Sequence, residues 1–388
     1  MRVSISAYVS CSGPVRHFMR SEPTTSTKLQ LGHIRRAGIN ANRWYMIAKA
    51  SDIRERPVGR EIWRQPVVLF RNQHGELHAL EDRCAHRLVR LSHGRVIDDK
   101  IECAYHGWQF SGAGRCVHVP HLAANTRMPN CRIRSFAVLE KHGFVWIFPG
   151  DPELSASVRP MAMDEWDDLD EIPSWVRLTT RAHFSYLIEN FMDMYHGSLH
   201  AQYQVWTAEA LKDVVEAENQ VTATYQATTY YCVKNLSSIL ELFIPALRKL
   251  HGATLTVTYD YPNWKATLGD DFKLFCLIRP AHERLTEAYL IHYTSLAKFA
   301  GLQKAPPAVR RVVKRALSNI AKRLLAKLAR QDVLMIEEEQ EAFDSNPFRE
   351  PTEINRTVRN VQQLICRQAT GEHAVDPPCT IQDSTYRA

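Results

Sequence analysis

Residues 84–94 read CAHRLVRLSHG, and residues 103–116 read CAYHGWQFSGAGRC. Each stretch opens on a cysteine and places a histidine two or three positions later, as Cys84-x-His86 and Cys103-x-x-His106, with sixteen residues between the pairs. Glycines follow in both, which puts each pair on a short loop. One thiolate and one neutral imidazole per loop form a donor set for zinc or for an iron–sulfur cluster. Structural zinc more often takes C-x-x-C half-sites, and Cys-x-His is unusual there. The doubled pattern better suits a [2Fe–2S] centre in which two cysteines hold one iron and two histidines the other. Replacing two thiolates by imidazoles removes negative charge and raises the reduction potential.

Outward from these loops, residues 42–150 carry short β-type runs (PVVLF, ELHAL, FVWIF) punctuated by Gly, Asn, Asp and His, the pattern of a small β-domain. Residues 151–175 are acidic and contain proline, as an exposed connection would. Residues 176–388 alternate longer strand candidates (VRLTTRAHF, QVTATYQATTYYCV, TLTVTYDY, EAYLIHYTSL) with helical stretches, so the whole reads as α+β. Residues 1–41 form an N-terminal extension, rich in Ser, Thr and Pro and loosely ordered over its first thirty or so residues. It makes a poor signal peptide, and no apolar run is long enough to span a bilayer. A cytoplasmic location is expected, where nine cysteines serve as metal ligands more readily than as disulfides. The mild net charge of +7 and the lack of a nucleic-acid-binding motif give no case for a nucleic-acid partner.

A second stretch, ENFMDMYHGSLH at residues 189–200, sets four ionisable groups among apolar neighbours. On one α-helix over 186–200, Glu189, Asp193, His196 and His200 fall within an arc of roughly 60°. Such a helix is expected to be buried, and its polar stripe then needs partners or a metal. His196 and His200, one turn apart, can reach a single ion; two core histidines with ordinary hydrogen bonds are the alternative. Further on, Val309, Val312, Val313, Ala316, Leu317, Ile320, Leu324 and Leu328 recur at helical steps, and Asp332 follows on the same stripe. With the two histidines it would make the two-His-one-carboxylate set of non-haem Fe(II) enzymes, which leaves positions open for O2. Glu337 to Glu339 are competing carboxylates, and a solvated aspartate at a break between two helices is the bland reading of Asp332.

The two cysteine–histidine loops resemble the cluster-binding loops of Rieske-type oxygenases. ENFMDMYHGSLH is similar to the catalytic motif of that family, and RQDVLMIEEEQ (330–340) to its carboxylate segment. The resemblance runs from about Asn42 to about Arg367. It implies an N-terminal all-β Rieske domain followed by a helix-grip catalytic domain with an antiparallel sheet and C-terminal helices. It assigns Cys84, His86, Cys103 and His106 to a [2Fe–2S] cluster, and His196, His200 and Asp332 to a mononuclear iron. Asn190 and Asp193 fall on catalytic positions, with Asp193 between His196 of its own subunit and His86 or His106 of a neighbour in a head-to-tail homotrimer. Ala85 and Ala104 stand where relatives often have proline, and three residues instead of the commoner four separate the iron histidines. Neither loop has the extra cysteine usual in respiratory Rieske proteins.

No G-x-G-x-x-G fingerprint is present, so electrons are expected from a separate ferredoxin or NAD(P)H-dependent reductase. The activity implied is O2-dependent hydroxylation, demethylation or other oxidative tailoring of a hydrophobic small molecule, aromatic or polycyclic. SSILELFIPALRKL (237–250) and the aromatic strands are the candidate lining. A Rieske electron-transfer protein without oxygenase activity is the competing class, and a zinc-stabilised binding protein a third. Between Arg310 and Arg330 there are eight Lys/Arg and no acidic residue. Residues 309–330 are thus a solvated face, a docking face for an acidic ferredoxin, or a peripheral membrane contact.

Overall fold

The computed structural model describes residues 34–120, 122–123, 125–166, 171–200, 206–230, 249–269, 272–295, 305–349 and 351–370. The first half is built from β1 (Tyr45–Lys49), β2 (Val58–Ile62), β3 (Gln65–Arg71), β4 (Leu77–Glu81), β5 (Arg95–Ile97), β6 (Lys100–Glu102), β7 (Gln109–Ser111), β8 (Cys116–His118), β9 (Ala137–Lys141) and β10 (Phe144–Phe148). They form three small antiparallel sheets, ordered β1-β10-β9, β2-β3-β4 and β5-β6-β7-β8. β10 reads FVWIF without a polar residue because both its faces are covered. Val145 and Ile147 join the main core, while Phe144, Trp146 and Phe148 meet Met161 and Met163 in a second one.

The second half is a seven-stranded antiparallel sheet of β11 (Glu171–Thr180), β12 (Trp206–Ala217), β13 (Gln220–Thr229), β14 (His251–Asp260), β15 (Asn263–Leu268), β16 (Phe272–His282) and β17 (Leu285–Ser295), ordered β11-β17-β16-β15-β14-β13-β12. Helices α1 (Phe184–Met192), α2 (Pro307–Ser345) and α3 (Arg356–Thr370) complete it. On α3, Val358, Val361, Leu364 and Ile365 recur at helical spacing and are buried, the pattern of a helix laid on a core.

A hairpin joins the halves. The β2–β3 turn, Trp63-Arg64, takes positive φ at both residues (44° and 63°) without a glycine. Its amides donate to Pro280 O at 2.8 Å and Ala281 O at 2.7 Å on β16, and the Trp63 ring meets His183 and Phe184 edge-on. These contacts offset the left-handed backbone and seat the start of α1.

Several expectations need correction. The acidic connection ends at residue 170, since β11 begins at Glu171, and its Met161 and Met163 are core residues. Residues 34–41, read as the end of an extension, are held in the body. Ile34 is buried, and the Asn40 carboxamide donates to Gln368 Oε1 at 2.9 Å on α3. Residues 1–33 lie outside the described residues, as do 237–248 of the expected pocket lining. The single helix over 186–200 is in fact α1 and a separate 3₁₀-helix, Met194–His200, broken at Asp193 (φ −88°, ψ 99°). On α2, Asp332 sits in one buried row with Leu325, Ala329, Ile336 and Gln340, whereas Val309 and Val312 of the expected stripe are exposed. The helix continues unbroken through Asp332 to Ser345.

Candidate active site

The two cysteine–histidine loops are built alike. In the first, Cys84 N–H donates to Val89 O and Cys84 O accepts from Leu88 N–H; in the second, Cys103 N–H donates to Trp108 O and Cys103 O accepts from Gly107 N–H. The residue four after each cysteine is left-handed, Leu88 at φ 56° and Gly107 at φ 68°. Each loop therefore reverses direction at once and turns its histidine outward while its cysteine points in. Cys84 and Cys103 are buried in one core, whereas His86 and His106 are exposed with ring centroids 4.6 Å apart. His86 stacks on Trp108, centroids 4.7 Å apart and planes within 6°. Burial and the neighbouring Cys103 push the Cys84 thiol up to about 11, which a thiolate-binding metal would overcome. Beneath the first loop, the buried Asp82 carboxylate accepts from Ser92 N–H and Ser92 Oγ–H, both at 2.7 Å. Two thiols inside and two imidazoles outside are a donor set that a [2Fe–2S] cluster fits.

The second centre joins the 3₁₀-helix to α2. One nitrogen of each of His196 and His200 and one Asp332 oxygen lie within 4.8 Å of one another. His200 Nε2 is 2.8 Å from Asp332 Oδ1, and His196 Nε2 is 3.7 Å from the same oxygen. Each imidazole is oriented from behind. His200 Nδ1–H donates to Gln331 Oε1 at 3.0 Å, and His196 Nδ1–H donates to the carbonyl of Asp193. Both Nε2 atoms are thereby left for a shared ion, the usual arrangement behind metal-bound histidines. Burial disfavours the charged form of His200, but hydrogen bonds and charge from Asp332 and Gln331 outweigh it and raise its pKa. Asp332 and His200 are nearly inaccessible, while His196 is half-buried, so the site has one open side. Two imidazoles and a carboxylate gathered there suit non-haem Fe(II).

Comparison with known proteins now bears on this geometry. The Rieske [2Fe-2S] domain family matches residues 43–137. The 4beta-methylsterol monooxygenase of Methylococcus capsulatus is 29% identical over 337 residues, 85% of this chain and 89% of that protein. The oxygenase component of dicamba O-demethylase from Stenotrophomonas maltophilia is 35% identical over 160 residues, 40% of this chain and 46% of that one. The crystal structure of dicamba monooxygenase bound to dicamba superposes with a TM-score of 0.69 at 21% identity, over 86% of this chain and 98% of the other. The chain carries a Rieske [2Fe–2S] domain and resembles, over most of its length, a protein named as a monooxygenase. Its cofactors are accordingly a Rieske [2Fe–2S] cluster and a mononuclear non-haem iron, with O2 as co-substrate.

Within this oxygenase the polar stripe of residues 189–200 divides. His196 and His200 join Asp332, but Glu189 turns away. It takes a two-pronged ion pair from the buried Arg35, with Nη2 2.8 Å from Oε2, and accepts a further hydrogen bond from Gln362 at 3.1 Å. Arg35 also lies over the Tyr186 ring, 3.6 Å from its centroid. Asp193 caps the 3₁₀-helix by accepting from Tyr195 N–H at 3.0 Å, and Asn355 Nδ2 donates to the same oxygen at 2.9 Å. Among the described residues, no hydrogen bond links Asp193 to His86 or His106 of the same chain. Asn190 Oδ1 is buried without a partner among those residues. Arg35, Gln331, Asn355 and Gln362 escaped sequence reasoning. Gln331, adjacent to the candidate carboxylate, is the one whose position offered a signal.

Proposed function

We propose that this oxygenase inserts oxygen into a hydrophobic polycyclic substrate of sterol or triterpenoid type, attacking a methyl group or ring carbon. The observation that carries the substrate class is the reach of the sterol monooxygenase match. At 337 residues it takes in the catalytic sheet and helices, whereas 160-residue matches to aryl-ether demethylases cannot span both halves. The alternating buried faces of β13 and β14, with Tyr225, Leu255 and Val257 inside, support an apolar interior beside α1. A sterol-sized ligand gains most of its binding from such a surface.

In this reading Cys84, Cys103, His86 and His106 hold the cluster, and His196, His200 and Asp332 the iron. When bound, the cluster supplies single electrons and the iron activates O2. Gln331 and the Asp193 carbonyl keep both imidazoles in the tautomer that presents Nε2. Asn355 and the Tyr195 amide hold the Asp193 carboxylate at the head of the 3₁₀-helix, where it can accept a hydrogen bond from a cluster histidine of the next subunit in a head-to-tail homotrimer. Asn190, with an unpaired carbonyl oxygen on the last turn of α1, is available to a polar group of the bound reactants. Electrons come from a ferredoxin and its reductase, which fits relatives named as oxygenase components and iron–sulfur subunits of monooxygenase systems. No helix among the described residues is long and apolar enough to cross a membrane. The basic stretch 309–330 is proposed as a face for the acidic electron donor.

The test is anaerobic purification with iron and sulfide counts, then O2 uptake with a surrogate ferredoxin and reductase against 4-methylsterols and aryl methyl ethers. Three irons per chain and oxidised sterol product are expected. Turnover of aryl ethers alone would overturn the substrate class, and two irons per chain with no substrate-dependent O2 uptake would reduce the chain to an electron carrier.

A further inference from the structure

Beneath the cluster loops lies a second pair of cysteines that neither metal centre uses. Cys116 opens β8, and Cys131 returns to it from a segment running outside the sheet. Cys116 N–H donates to Cys131 O at 3.1 Å, and Ile133 N–H donates to Gly114 O at 2.9 Å. These two bonds flank the antiparallel bridge between Arg115 and Arg132, so Cys116 and Cys131 stand directly opposite one another. Opposed residues joined by such a bond have Cα atoms about 5.5 Å apart and point their Cβ atoms to the same face, which is within the span a disulfide requires. Both side chains pack into the core that also contains Cys84 and Cys103.

The chain between them matters to the cluster. From β8 it passes to Pro120, which closes over Gly107 of the second loop. A Cβ on that glycine would lie 2.8 Å from Pro120 Cγ. It comes back at Cys131, so a covalent link there would fix both ends of the strap carrying Pro120 onto the loop of His106.

We propose that Cys116 and Cys131 form a reversible disulfide that braces the Rieske centre when a low-molecular-weight disulfide such as oxidised glutathione is available. Cys131 is the more accessible thiol and reacts first. Its thiolate attacks one sulfur of the oxidant and expels a thiolate, leaving a mixed disulfide on Cys131. The Cys116 sulfur, once deprotonated, attacks Cys131 Sγ and expels the second thiolate. The protein loses two protons and two electrons, and one oxidant disulfide becomes two thiols. Burial and the neighbouring Cys131 push the Cys116 thiol up to about 11, consistent with the second step being the slower. The assignment is independent of the iron site and of substrate class.

The test uses the purified holoprotein, incubated with oxidised glutathione or with dithiothreitol, blocked with N-ethylmaleimide and mapped by non-reducing mass spectrometry. A peptide joining Cys116 to Cys131 is expected in the oxidised sample and not in the reduced one. It should vanish in Cys131→Ser and persist in Cys366→Ser. The oxidised wild type should also lose its cluster absorbance at a temperature ~5 °C higher than the reduced, a difference missing from Cys131→Ser. Separate maleimide or glutathione adducts on both cysteines, with no joined peptide, would overturn the disulfide. A joined peptide with equal melting temperatures would overturn the brace. Cys131→Ala serves as the second variant if the serine protein does not accumulate.

Discussion

The two metal centres are built on opposite plans. The cluster takes all four of its expected ligands from two loops inside one small β-sheet region, Cys84 to His106, and each loop is closed by its own backbone hydrogen bonds. The proposed iron site draws on candidate ligands 132 residues apart, from a short 3₁₀-helix and the middle of a 39-residue helix. The first is set by local turn geometry, the second by the packing of α2 against α1 and the large sheet. A local site should fail by losing its cofactor and the loops around it. A site assembled from afar should lose its ion and leave both elements standing, because each has its own reasons to fold.

The largest effects test that contrast directly. Cys84→Ser should bleach the visible spectrum, lower yield and abolish turnover, because metal binding and loop folding are coupled. Asp332→Ala should cut substrate-dependent O2 uptake at least ~100-fold and remove one iron in three, with the cluster spectrum and melting temperature nearly unchanged. Bleaching in Asp332→Ala would erase the distinction between the centres.

Next in size are changes to what holds the catalytic half. Arg35→Ala leaves Glu189 charged and unpaired in the core and should cost about 3–5 kcal/mol by urea unfolding; Arg35→Ala with Glu189→Gln should recover most of it. His183 is fully buried and held neutral, its pKa lowered to about 4 chiefly by burial. Its Nε2–H donates to Ala37 O at 3.0 Å, and its Nδ1 accepts from Ser185 N–H at the start of α1. Between pH 6.5 and 4 the unfolded chain binds the proton that the folded chain refuses. Stability should therefore fall as pH drops through that window, by about 3 kcal/mol in total, and be fully present above it. In His183→Gln this part of the pH dependence should disappear.

Smaller still is the effect of Gln331→Leu, which frees His200 Nδ1 from its acceptor. Binding of Fe(II), or of Co(II) as a spectroscopic probe, should weaken about 10- to 100-fold with the cluster intact. Gln331→Glu, which keeps an acceptor at Oε1, should restore much of it.

The same contrast explains what was legible beforehand. Cys84, His86, Cys103 and His106 could be read as one donor set because a local site writes its spacing into adjacent sequence. His196, His200 and Asp332 were nominated from a single long helix and an apolar stripe, and both premises fail in detail. The helix breaks at Asp193 because that carboxylate caps the following turn. The buried row of α2 runs through Leu325 and Ala329, one position beyond the expected Leu324 and Leu328. Asp332 still lies beside His196 and His200 because i, i+3 and i+4 neighbours share a face under either phase. The partner of Glu189 could not be named beforehand, since Arg35 lies 154 residues earlier, in a stretch whose composition resembled an extension. Tertiary pairing of that kind leaves no local mark.

The finest comparison lies within the cluster region itself, between two loops of identical hydrogen bonding. Where the second has Gly107 at φ 68°, the first has Leu88 at φ 56°. A non-glycine residue in that conformation carries about 1–2 kcal/mol of strain, whereas glycine carries little but has more chain entropy to lose. Leu88 is 66% exposed, so its side chain contributes little packing that a glycine would forfeit. Leu88→Gly should thus change the unfolding free energy by no more than about 1 kcal/mol, with the cluster spectrum intact. The reciprocal change is not symmetric. Gly107→Ala adds a Cβ that would stand 2.8 Å from Pro120 Cγ, on top of the left-handed backbone penalty. It should destabilise the cluster region by more than Leu88→Gly does, read as a lower temperature for loss of cluster absorbance. If the two substitutions prove equal, the strap over the second loop bears no load, and the loops are equivalent in energy as well as in hydrogen bonding.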